Sequence, residues 1–78
     1  MSTPLSALGP GQAATICDLS ALDDPARLLE MGLIEGTRVE FIRRAPGGDP
    51  IEIRVMGYSL SVRREDAEGI LVEDVNPA

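Results

Sequence analysis

The stretch Asp49-Pro-Ile-Glu-Ile-Arg-Val55-Met-Gly-Tyr58-Ser-Leu-Ser-Val-Arg63 decides the fold. Ile51, Ile53 and Val55 fall on one face of an extended chain while Glu52 and Arg54 fall on the other, the period of two expected of a half-buried antiparallel strand. Leu60 and Val62 repeat the alternation against Ser59, Ser61 and Arg63. Between the runs, Gly57-Tyr58 predicts a two-residue hairpin turn with glycine first. Strands near 51–56 and 59–63 are therefore expected to pair.

Working outward, Val39 and Phe41 alternate with Glu40, and Ala45-Pro-Gly-Gly-Asp-Pro50 then forces a reversal, because two prolines cannot continue a central strand. Its paired glycines predict a loose tip. Further upstream, Asp24-Pro25 predicts a helix start: the carboxylate can cap free amide donors, and proline in the first helical position gives up a bond that no partner offers there. Leu28, Leu29 and Met31 form the helix's apolar stripe, and Gly32 is placed to turn left-handed just past its end so that Leu33 folds back onto Leu28. Gly36 closes the next turn, so 31–36 reads as a fixed elbow between helix and sheet.

At the start of the chain, Leu5 and Leu8 are placed to pin a loop to the core, and the apolar content of 13–19 falls on both parities, as in a strand covered on both sides. At the other end, 64–68 is polar and compatible with a single helical turn, and Ile70 and Val72 form a last short strand. About five strands and one short helix in 78 residues cannot build two large sheets. A small, strongly bent, mainly β barrel spanning 5–75 is expected, with 1–4 and 76–78 as terminal tails.

The same sequence leaves little for chemistry. It has no histidine and no lysine, no phosphate-cradling Gly-Lys loop, and a single cysteine without an imidazole base, so no catalytic residue is assigned. Metal sites draw on imidazole and thiolate, and the lone Cys17 sits in an apolar run that favours burial, so no metal site and no cofactor are expected. A net charge of −6 disfavours nucleic acid, as do only two aromatic residues, Phe41 and Tyr58. No stretch approaches the length of a membrane span, and the first residues lack the basic and apolar pattern of a secretory signal, so a cytoplasmic protein without membrane insertion is expected.

What remains is a binding module. Candidate contacts are the apolar loop residues Leu33, Ile34, Pro46, Met56 and Tyr58, together with Arg43 and Arg44. Residues 38–64 hold six arginines against three acids, and charge reversal at Arg43 and Arg44 is expected to weaken partner binding while leaving the fold intact. Gly32, Gly36 and Gly57 are assigned to structural turns.

The series Leu28-Leu-Glu-Met-Gly-Leu-Ile-Glu-Gly36-Thr, then Arg43-Arg-Ala-Pro46, Asp49-Pro-Ile-Glu-Ile-Arg-Val55, Gly57-Tyr58, Leu60 and Arg63-Arg-Glu65, resembles the FeoA family, ferrous iron transport protein A. The opening Leu5-Ser-Ala-Leu8 with Pro10-Gly11 is similar to that family's usual start, and Glu35 stands where the family often has proline. The resemblance implies an SH3-like β-barrel and a non-catalytic cytoplasmic adaptor or regulator. Its implied partner is the cytosolic region of FeoB, the ferrous iron transporter, through the GTP-binding domain or adjoining segments. Self-association is left open. The alternative is a free-standing metal-responsive regulatory domain similar to the terminal domain of DtxR-type repressors, a reading that draws on the acidic turn Glu65, Asp66 and Glu68.

Overall fold

The computed structural model describes residues 2–77. Six strands and two short helices follow one another as β1 (Thr3–Pro4), β2 (Gln12–Asp18), α1 (Pro25–Glu30), β3 (Arg38–Arg44), β4 (Ile51–Val55), β5 (Tyr58–Val62), α2 (Arg64–Gly69) and β6 (Leu71–Pro77). Single 3-10 turns occupy Leu5–Ala7 and Pro46–Gly48. The strands form one antiparallel sheet in the order β1-β6-β2-β3-β4-β5. A flat six-stranded sheet would be about 25 Å wide and one layer thick. Here the extents are 25 × 25 × 23 Å, so the sheet is curled. Register shifts where β6 meets β2 and where β4 meets β3 supply the bends.

Curling gathers the apolar faces. Phe41, Val39, Ile51, Ile53, Val55, Val62, Ile70 and Val72 are all buried, with Leu60 half-buried against them, so the alternation read from 39–72 places its apolar residues inward. Ala13 and Ala14 are buried in succession, so β2 is covered on both faces at its start. Leu5 and Leu8 plug one end, and the Leu5 N–H donates to the Ile70 carbonyl at 2.8 Å.

Several details depart from the sequence reading. Residues 3–4 and 76–77, expected as tails, lie in the sheet: Thr3 pairs with Val72, and Asn76 pairs with Ala13. Burial of Leu5 brings the preceding residues alongside β6, which makes β1 the additional strand. The second helix is α2, with Ala67 buried against the core. The hairpin turn is Met56-Gly57, not Gly57-Tyr58, and Tyr58 already pairs with Val55. Both turn residues have positive φ, 52° and 84°, the pairing whose twist matches the flanking strands.

The curl also stops short of full closure. Among the described residues β1 and β5 do not pair, and α2 leaves the end of β5 to pack against β1 and the Leu5–Ala7 turn. Next to the Pro46–Gly48 tip, Asp49 Oδ1 accepts the Arg64 N–H at 3.1 Å, satisfying an otherwise free donor at the start of α2.

With one aromatic ring at its centre, the core depends on it: Phe41→Ala is expected to cost about 3–5 kcal/mol of the roughly 5–15 kcal/mol available to a domain. Urea unfolding of the variant measures this, and an unchanged midpoint contradicts the assignment.

Candidate functional site

A densely hydrogen-bonded surface feature is the elbow after α1. The Leu33 N–H reaches back to the Leu28 carbonyl and the Gly32 N–H to that of Leu29, both at 3.0 Å, with Gly32 at φ 87°. This is the paired closure of a glycine-terminated helix. Gly36, at φ 94°, donates to the Ile16 carbonyl at 2.7 Å, and Ile16 donates in turn to that of Thr37 at 2.9 Å, fastening the elbow to β2. Tyr58 braces it from the hairpin: its hydroxyl donates to the Met31 carbonyl at 2.6 Å, and a Cβ on Gly32 would stand 3.0 Å from that oxygen.

This bracing sorts the apolar candidates. Leu33 is fully buried and serves as the anchor, with no surface to offer a partner. Ile34 is turned outward and remains 45% exposed. Leu29, expected in the buried stripe, is 46% exposed. Adjacent helical residues point about 100° apart, and a helix this short presents one of them, Leu28, to the core. Asp24 precedes α1, but its side chain makes no capping hydrogen bond. Leu29 and Ile34 flank a shallow groove of about 500 Å³, completed by Leu19, Ser20, Pro25 and Glu35. Met56 and Pro46 are exposed on the two loops of the β3–β4–β5 meander, away from that groove's lining.

The arginines divide as well. Arg43 is exposed and pairs with Glu52 at 2.8 Å. Arg44, a candidate contact, is exposed too, but it also donates to the carbonyls of Ser6 and Leu8, each at 2.8 Å, and its guanidinium lies 4.7 Å from the centre of the Phe41 ring. It latches the opening segment to β3. Arg38 does similar work, donating to Thr15 Oγ1 at 3.2 Å, the Asp74 carbonyl at 3.0 Å and Asn76 Oδ1.

The acidic turn is occupied by cations of its own chain. Asp66 holds Arg27 at 2.5 Å, while Glu65 and Glu68 face Arg63 and Arg64 at 3.8 Å. Cys17 is half-buried, its thiol donating to the Leu71 carbonyl at 3.4 Å; burial, reinforced by the nearby Glu73 and Asp18 carboxylates, pushes that thiol upward, away from the reactive thiolate. Hydrogen bonds from Ser20 hold the Asp18 carboxyl below the usual range. Among the described residues, no helix is long and apolar enough to cross a membrane.

Together, the curled antiparallel sheet and its loop-borne apolar groups define a small SH3-like module. The chain belongs to the FeoA family, whose FeoA domain model matches residues 3–74. It is 47% identical over 47 residues to an Fe(2+) transport protein A/Fe(2+) transporter FeoB fusion protein of Porphyromonas gingivalis, a match covering 60% of this chain and 6% of that one. The FeoA of Stenotrophomonas maltophilia, solved with zinc and described as a prokaryotic SH3 domain protein, superposes with a TM-score of 0.74 at 28% identity, covering 99% of this chain and 96% of that one. A manganese-dependent transcriptional repressor superposes at 0.82 but with 19% identity, covering 92% of this chain and 40% of its own, a likeness of fold alone.

Two stability outcomes follow from the latch and the brace. Arg44→Glu is expected to lose about 1–2 kcal/mol, from two charge-assisted hydrogen bonds and a ring contact, whereas Arg43→Glu stays within roughly 0.5 kcal/mol of the parent. Equal midpoints in a denaturant titration contradict the latch. Gly32→Ala is expected to cost about 1–2 kcal/mol from its left-handed backbone, before any clash with Tyr58. Thermal melting beside Tyr58→Phe separates that backbone cost from loss of the brace.

Proposed function

We propose that the protein is a non-catalytic cytoplasmic accessory of ferrous iron uptake that binds the cytosolic part of an FeoB transporter. The observation that carries this reading is the relative in which an FeoA region and FeoB form one polypeptide. Linkage makes such an encounter intramolecular, at an effective concentration set by the linker. A separately made domain must reach the same encounter through the affinity of its surface. The exposed Leu29, Ile34, Met56 and Tyr58 are apolar groups available for that contact.

The second reading, a metal-responsive regulatory domain, draws on the fold shared with the manganese-dependent repressor. Two observations weigh against it: among the described residues no three acidic or cysteine side chains converge to hold a metal ion, and Asp66 is taken up by Arg27. The adaptor reading is therefore favoured.

The expected outcome is retention of this protein on the immobilised cytosolic region of its cognate FeoB, together with reduced ferrous uptake in a deletion strain. Absence of binding with undiminished uptake overturns the adaptor. Saturable calorimetric binding of ferrous or manganous ions by the isolated protein would support the sensor instead.

A further inference from the structure

We propose that the groove between α1 and the elbow is a docking site for a cationic amphipathic helix of a protein partner, a specification that rests on the reading that this chain works by binding a protein. The argument begins with the distribution of exposed apolar groups. Among the described residues, the large exposed hydrophobics are Leu29, Ile34, Met56, Tyr58 and Val75. Two of them, Leu29 and Ile34, face one shallow depression with the buried Leu19 and with Pro25. A broad, open depression of about 500 Å³ with an apolar floor suits apolar side chains spaced i and i+3 or i+4 on a helix.

The charge of the chain segment that builds the groove selects the occupant. Residues 17–36 carry Asp18, Asp23, Asp24, Glu30 and Glu35, against Arg27 as the single cation. Arg27 is already engaged by Asp66 at 2.5 Å. Glu35 lines the groove itself. The apolar floor thus lies within a segment of uncompensated negative charge, complementary to an apolar stripe flanked by lysine or arginine. The same charge disfavours an anionic membrane surface. A second copy of this chain is disfavoured too, because a two-fold contact places the same patch on both sides and would set acidic segment against acidic segment.

The groove is also preformed. Leu29 stands in the last turn of α1, and Ile34 stands between the two glycine turns, whose hydrogen bonds to Leu28, Leu29 and Ile16 fix the backbone on either side. Little ordering is left for the partner to impose, so a short helix suffices for useful affinity.

The test uses the full chain labelled with 15N and a synthetic helical peptide of leucine and lysine with all leucines on one face. A scrambled peptide of equal composition and a leucine–glutamate analogue serve as controls. The Leu/Lys peptide is expected to shift the amide signals of Leu19, Leu29, Ile34 and Glu35, and to bind roughly tenfold more tightly than either control. Combined Leu29→Ser and Ile34→Ser substitution is expected to weaken it at least about tenfold, as is Glu30→Lys with Glu35→Lys, with circular dichroism unchanged because all four side chains are substantially exposed. Shifts centred on Met56 and Tyr58, equal binding of the scrambled peptide, or unaltered affinity in both variants would overturn the site. Concentration-dependent dimerisation abolished by the double serine variant would assign the groove to a second copy and overturn the proposal as well.

A parallel titration with the FeoB cytosolic region separates this inference from the adaptor reading. If FeoB binds the variants as tightly as the parent, the groove assignment falls and the adaptor reading stands. If the Leu/Lys peptide seats in the groove but FeoB does not bind and deletion leaves ferrous uptake undiminished, the groove stands and the adaptor reading falls.

Discussion

The structure depends on enclosing one phenyl ring in an aliphatic shell with very little chain. Phe41 is fully buried, and the residues around it come from nearly every element, from Leu5 at one end to Val72 at the other. A domain of 78 residues buries a smaller share of its surface than a larger one, so each contributor carries more of the total. The curl of the sheet, the bulges on β2, β3 and β6 and the seating of both helices are the geometrical means of bringing those contributors to one point.

The charged residues complement that arrangement in an unexpected way. An acidic protein with seven arginines has cations to place, and two of them act as fasteners rather than as surface decoration. Arg44 binds the opening segment to β3, and Arg38 binds β2 and β3 to the last strand. Guanidinium suits this role because its fork of donors satisfies several oxygens at once while its plane rests on a ring or alkyl surface. The basic character of 38–64 is therefore partly taken up by contacts within the chain, whereas residues 17–36 carry five acids against one arginine.

Much of the fold was legible because it rests on local rules. Ile51, Ile53 and Val55 announce a strand by alternation, and Gly32 and Gly36 announce turns by conformational need. The hairpin turn was misplaced by one residue because Gly57 suits either of two positions, and the choice was made by cross-strand pairing of Val55 with Tyr58, a long-range matter. β1 was hidden for a related reason: two residues carry no periodicity, and only the partner β6 makes them a strand. At the candidate site, Ile34 was read as exposed from its place in the elbow, whereas Leu33 beside it became an anchor and Leu29 replaced it at the surface. The helix period contains that last distinction, but a six-residue helix gives it too few turns to stand out. The role of Arg44 had no local signal, since its acceptors, Ser6 and Leu8, lie 38 and 36 residues away.

That latch gives the first few residues an importance their position conceals. Leu5 and Leu8 fill the barrel end, and their neighbourhood provides the carbonyls that hold Arg44. Loss of the segment through Leu8 would take away the stopper and both carbonyl acceptors of Arg44 together.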